Sequence, residues 1–264
     1  MILVCDIGNT NIVLGLFAGD DLVEQWRLTT RIDRTADELG LFIRSLLVGV
    51  NVDPRQVEGV LVSSVVPQMN GKFIAAAEKY LQNTPKFLTA DSACMAIDVD
   101  DPTTVGPDRI ANTTAGFEIY GGPLLIIDFG TAVTFDLVSE EGVFVGGAIA
   151  PEMSLAAAAL IQHAALLPEV DLTLPESVIA KNTKTNIQAG VLLGFIDLVS
   201  GLIERFKREY RSDLKVVATG GKGELFFRNI EAIEEYDPFL TLRGIMISWS
   251  KEGCRQSEQG DRAG

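Results

Sequence analysis

The 264-residue chain is 47% hydrophobic, enough for one large core or two smaller ones, and carries a formal charge of −14 with a single histidine. That balance argues against nucleic acid or an anionic membrane surface as a general partner, because phosphates demand a basic face; a small anionic substrate stays open, since local donors and a metal can outvote net charge. Cys5, Cys94 and Cys254 lack ligand-like spacing and imply reduced thiols in a cytoplasmic protein, and neither a basic leader nor an uninterrupted apolar run of about 18 residues points to export or a membrane span.

In chain order, Ile2–Cys5, Ile12–Phe17 and Leu22–Leu28 read as strands. Thr35-Ala-Asp-Glu38 is a capping box, and Leu39, Phe42, Ile43, Leu46 and Leu47 follow at helical spacing. "VEGVLVSSVVP" predicts a buried strand closed by Pro67, and "GKFIAAAEKYL" a helix. "RIANTTAGFEIY" predicts a further helix, broken at Gly121-Gly122-Pro123. Then "LLIIDFGTAVTFDLV" repeats the opening "ILVCDIGNTNIVLGLF": an apolar strand, an aspartate, a Gly turn and a second strand. After this second copy come "GVFVGGAIAP", an Ala-rich helix from Met153 to about Leu166, and a long helix in "NIQAGVLLGFIDLVSGLIERFKREY". The last predicted strand is "KVVATGG". Alternating strands and helices predict α/β layers, and the duplication predicts two similar halves, 1–122 and 123–250, with a cleft between them. Residues 251–264 form a polar tail expected to fray.

The bland reading of each Asp-x-Gly turn is a hairpin, because Asp, Gly and Asn tolerate turn geometry. Two copies favour chemistry. A Gly turn brings backbone N–H groups close to a phosphate, Asn9, Thr10 and Thr131 add donors, and Asp6 and Asp128 can hold cations directly or through water. There is neither a Walker lysine motif nor a G-x-G-x-x-G after a strand. "TGGKGE", from Thr219, is a third Gly-rich turn, as consistent with a strand-to-helix loop as with a nucleotide contact. In "DPTTVGPDRIAN", Asp108 reads either as an N-cap worth about 1 kcal/mol or as a general base; Arg109 reads as a solvated first-turn residue or as a fork for a carboxylate. His163 sits among Ala and Leu and reads as helix surface or interface.

"DIGNTNIV", "GPDRIAN", "DFGTAVTFD", "GGAIAP" and "KNT" occur in that order, with "WRLTT", "RTADELG", "SSVVP" and "LTLRGI", from Met1 to about Trp249. In these motifs the chain resembles the type III pantothenate kinases. The resemblance implies the actin-like ATPase fold of acetate and sugar kinases: two ribonuclease-H-like halves, a homodimer, and ATP-dependent phosphorylation of pantothenate in coenzyme A synthesis. It implies that Asp6, Ile7, Gly8, Asn9, Thr10, Asn11, Ile12 and Val13 form the first phosphate loop and that Thr131 touches ATP. Gly106, Pro107, Asp108, Arg109 and Thr183 would bind pantothenate, with Asp108 as general base. Mg²⁺ would accompany ATP, with Asp6 near its shell, and Asp128 would carry K⁺ or NH₄⁺. Three positions depart from the family's usual run: Val99 for Tyr, Val133 for Thr and Glu152 for Gly. The rival readings are a non-catalytic nucleotide-binding regulator of the same fold and a kinase of another small hydroxy acid.

Overall fold

A computed structural model describes residues 1–164 and 166–261, with 251–261 described by backbone alone. The elements in order are β1 (Ile2–Ile7), β2 (Asn11–Ala18), β3 (Asp21–Thr29), α1 (Ala36–Gly49), β4 (Gly59–Ser64), α2 (Pro67–Leu81), β5 (Lys86–Phe87), β6 (Ala96–Ile97) and α3 (Pro107–Tyr120). They continue with β7 (Leu124–Phe129), β8 (Ala132–Val138), β9 (Val143–Pro151), α4 (Met153–His163), α5 (Thr183–Gln188), α6 (Gly194–Tyr210), β10 (Lys215–Thr219), α7 (Gly223–Phe227), β11 (Glu235–Tyr236) and α8 (Leu240–Asp261).

The chain forms two compact units. The first holds Met1–Gly121, Gly142–Val145 and the segment from Phe239 onward; the second holds Gly122–Glu141 and Gly146–Pro238. A division at 122/123 alone therefore misplaces α8. Its residues pack on α3, β1 and β4, because Leu242, Ile245 and Met246 share a core with Val4, Phe17, Leu61 and Ala111. The backbone of the expected polar tail continues α8 to Asp261; residues 262–264 and the side chain of Cys254 lie outside the described residues.

In the first unit the strand order is β3-β2-β1-β4-β5. β1 runs antiparallel to β2 and parallel to β4. Its side chains alternate between two faces, as a strand buried on both sides must. Leu3, Cys5 and Ile7 join Leu39, Ile43 and Leu47 of α1 and Met69 and Phe73 of α2 on one face. Val4 joins α3 and α8 on the other. Each such fully buried aliphatic side chain contributes about 1.5–3 kcal/mol relative to exposure. The capping box is present: Glu38 N–H donates to Thr35 Oγ1, and Thr35 N–H donates to Glu38 Oε2. Phe42, on the helical stripe, is instead exposed, with the Arg34 guanidinium 4.9 Å from its ring centre.

The second unit repeats the plan with the order β11-β10-β7-β8-β9. β7 is antiparallel to β8 and parallel to β10, as β1 is to β2 and β4. β6 pairs with Val143 and Phe144, the start of β9, inside the first unit. The long predicted helix is α5 and α6 joined by a wider turn over Ala189–Leu193. Counted as one helix, Thr183–Tyr210 is long and apolar enough to cross a membrane by length and composition, although Asp197 interrupts the strictly apolar run. It buries Ile187, Leu192, Phe195, Val199 and Ile203, a single face, as a helix laid on a protein core does. α4 stops at His163, and Leu166 is exposed in a turn.

Candidate active site

Asp6 lies inside β1, not at its end: it pairs with Val13 on one side and with Ser63 of β4 on the other. Ser63 is fully buried, and its hydroxyl donates to Asp6 Oδ1 at 3.0 Å. By strand alternation Asp6 shares its face with Val4, the face covered by α3 and α8. The turn that follows is closed by the Gly8 N–H donating to the Asn11 carbonyl at 2.9 Å, and Asn9 and Thr10 are exposed. Ile12 is core, while Asn11 and Val13 are half-buried.

The start of α3 comes to the same edge of this sheet. Val65 N–H, just past β4, donates to the Ile7 carbonyl at 3.0 Å. A Cβ placed on Gly106 would lie 3.8 Å from Val65 Cγ1. Gly106 is the N-cap of α3 and Pro107 its first residue; the Gly106 carbonyl accepts from Ile110 N–H at 3.1 Å. Asp108 is therefore not the cap. It sits in the first turn, where its Oδ1 accepts from the Arg109 N–H at 2.9 Å. Burial pushes the Asp108 carboxyl above the usual carboxylate range, against the opposing pull of that N–H and of the Arg109 charge. Glycine at 106 leaves room for the Asp108 carboxylate: a Cβ there would meet Asp108 Oδ1 and push it aside. The Arg109 guanidinium lies 5.3 Å from the ring centre of Phe144. Phe144 is buried with Val105 and Ile110, and Val99 packs against that cluster. The first sheet thus gathers Asp6–Val13 and Gly106–Arg109 at the carboxyl ends of two parallel strands, where open α/β sheets place their ligands.

In the second unit Asp128 occupies the equivalent place. It lies in β7 between Thr134 of β8 and Thr219 of β10, so a hydroxyl residue again stands beside it on the parallel neighbour. Thr131 is exposed in the turn between β7 and β8. The third Gly-rich loop packs directly on Asp128: Gly220 has φ +87°, and a Cβ there would stand 2.5 Å from Asp128 Oδ1. Tyr236 fastens that loop by donating its hydroxyl to the Gly220 carbonyl at 3.2 Å. Lys222, next along, is ion-paired with Glu152, which is buried and also accepts from Ser154 N–H at 2.9 Å as the N-cap of α4. The Glu152 departure thus has a partner, which favours the structural reading of "TGGKGE". Val133, a second departure, is core. Thr183 is exposed in the first turn of α5, capped by Asn182, and belongs to the second unit.

Sequence reasoning missed Ser63 and Phe144, and it named Thr219 and Glu152 without their partners Asp128 and Lys222. A weak signal exists for Ser63, a hydroxyl residue in a mostly apolar strand.

Among the described residues no group of three or more His, Cys, Asp or Glu could cage a metal ion. Isolated carboxylates with hydroxyl and backbone oxygens nearby fit hard cations that bring most of their ligands with them, as a divalent ion on nucleotide phosphates does.

A twice-repeated sheet with an aspartate and a Gly turn in each copy is the two-lobed plan of the actin-like ATPase fold, a class that includes sugar kinases. The fold is shared with a Campylobacter jejuni protein assigned to the Baf family of transcriptional activators (20% identity, TM-score 0.60, 96% of this chain and 99% of that one). It is also shared with a Sinorhizobium meliloti protein assigned as a 2-dehydro-3-deoxygalactonokinase (13% identity, TM-score 0.63, 94% and 95%). The chain belongs to the type III pantothenate kinase family: that family's model matches residues 2–205. A type III pantothenate kinase from Roseiflexus sp. (strain RS-1) is 42% identical over 248 residues, 94% of this chain and 97% of that protein. The chain is accordingly an ATP-dependent kinase that phosphorylates pantothenate for coenzyme A biosynthesis.

Proposed function

We propose that the chain passes the γ-phosphoryl group of ATP to the primary hydroxyl of pantothenate with Asp108 as general base. The observation that supports this most is the half-buried Asp108 carboxyl beside Arg109, at the sheet edge that also carries the Gly8 turn. Asp108 accepts a hydrogen bond from the substrate hydroxyl and takes its proton late, since phosphoryl transfer needs positioning and charge stabilisation more than covalent help. Arg109, braced on Phe144, forks onto the pantothenate carboxylate, while Gly106, Pro107 and Thr183 complete the substrate contacts. Asp6–Val13 cradle the ATP phosphates, and Thr131 adds a hydroxyl. Mg²⁺ would bring charge neutralisation to the ATP phosphates, with Asp6 as the carboxylate near it, and Asp128 would hold K⁺ or NH₄⁺.

Arg109→Lys keeps the charge but loses the bidentate fork. It is expected to raise KM for pantothenate by about tenfold and leave KM for ATP alone, the cost of one charge-assisted hydrogen bond. Steady-state kinetics with each substrate varied in turn decide it; a shift confined to ATP reassigns Arg109.

The enzyme is read as a cytoplasmic homodimer without nucleic-acid or membrane partners. The dimer reading is supported by apolar side chains exposed in the second unit, Leu155 and Leu160 on α4 and Val178 and Ile179 before α5. Light scattering after size exclusion is expected to give twice the chain mass, and a monomer at micromolar concentration contradicts the dimer.

A further inference from the structure

The junction between β3 and α1 fastens the first Gly turn from behind. The β2–β3 ladder ends at the pair Asn11–Thr29, and Thr30 continues one residue beyond it. The Thr30 N–H donates to the Thr10 carbonyl at 2.9 Å, and Thr30 Oγ1 donates to the Gly8 carbonyl at 2.7 Å. In a trans peptide the carbonyl and the N–H of one plane point in opposite directions. Both carbonyls are drawn toward Thr30, so the N–H groups sharing their planes, those of Asn9 and Asn11, are turned the other way. The orientation is set before any ligand arrives.

We propose that Thr30 is a positioning residue for the ATP phosphates: it holds two amides of the Gly8 turn in an anion-binding orientation. The inference rests on the reading of residues 6–13 as the phosphate loop and adds a residue outside it. The backbone bond to Thr10 survives any replacement except proline. The hydroxyl bond to Gly8 is specific to Thr or Ser. Without it the plane between Gly8 and Asn9 can rotate, and donors that must reorganise stabilise a bound anion less than donors already in place.

The test uses Thr30→Val, which keeps the shape and the N–H but not the hydroxyl, with Thr30→Ser as the rescue and Asp6→Asn as the control for the loop. KM for ATP and the Kd of a fluorescent ATP analogue are measured for each, with unfolding midpoints. Thr30→Val is expected to weaken both by about tenfold, the equivalent of one hydrogen bond lost in a charged site, with KM for pantothenate unchanged and Thr30→Ser near wild type. The inference is overturned if Thr30→Val leaves ATP unaffected while Asp6→Asn does not, or if Thr30→Ser is as impaired as Thr30→Val. It also falls if pantothenate moves as much as ATP. If neither Asp6→Asn nor Thr30→Val changes ATP binding, the phosphate-loop reading itself falls with it.

Discussion

Asp108→Asn is expected to lower kcat by about 10²–10⁴-fold while ATP still binds, because a positioned general base typically supplies that factor. The substitution is nearly isosteric and leaves the helix cap at Gly106 untouched. Its effect on stability follows from the direction of the titration. Burial raises the Asp108 pKa in the folded chain, so folding favours the protonated form, and that contribution is lost as pH rises through the folded value. At neutral pH the carboxylate is a cost to folding, and an amide removes it; the unfolding midpoint of the variant should equal or exceed that of wild type. The same shift predicts the pH profile. Wild-type kcat/KM for pantothenate falls on the acid side as Asp108 of the free enzyme protonates, at a pH above that of a solvated aspartate, and the Asn variant lacks this limb. Near-normal kcat in the variant removes Asp108 from the role of base.

The second large effect is expected at Asp128. ATP brings several negative charges to a chain whose formal charge is already −14. Charges about 4 Å apart interact by about 4 kcal/mol at an effective dielectric constant near 20, so one divalent ion does not offset them all. A large monovalent ion suits a loose shell of carboxylate and backbone oxygens, such as Asp128 with the Gly220 loop packed on it, whereas Mg²⁺ demands a tight octahedron. Initial rates are expected to be much higher in potassium or ammonium chloride than in sodium chloride at equal ionic strength and saturating Mg²⁺. Asp128→Asn and Asp128→Ala are expected to lose that activation. Equal wild-type rates in every salt, including one with a bulky organic cation, contradict a monovalent site.

The parts of this molecule legible from sequence are those written in local period and punctuation. The two strand–Asp–Gly–strand copies were legible because apolar runs and turn residues repeat at fixed offsets. The α1 capping box was legible because its four residues are contiguous. What was not legible depends on residues far apart in the chain. Ser63 reaches Asp6 across two parallel strands, and no local pattern announces that register. Glu152 meets Lys222 through the return of a loop, and reads in sequence as a mere departure from the family's usual glycine. α8 follows the second repeat in sequence yet packs in the first unit, because its apolar face matches α3, and alternation of elements does not say which sheet a terminal helix will cover. Asp108 itself was legible as a candidate, but its placement in the first turn, two residues past the cap rather than at it, depended on Pro107 taking the first helical position.

The central claim is tested most directly by ATP consumption with and without pantothenate, in a coupled assay containing Mg²⁺ and K⁺, with the phosphorylated product identified by mass. The account predicts turnover that depends on pantothenate and yields one 4'-phosphopantothenate per ADP. Tight ATP binding with no pantothenate-dependent turnover, or turnover only with another hydroxy acid, would contradict it.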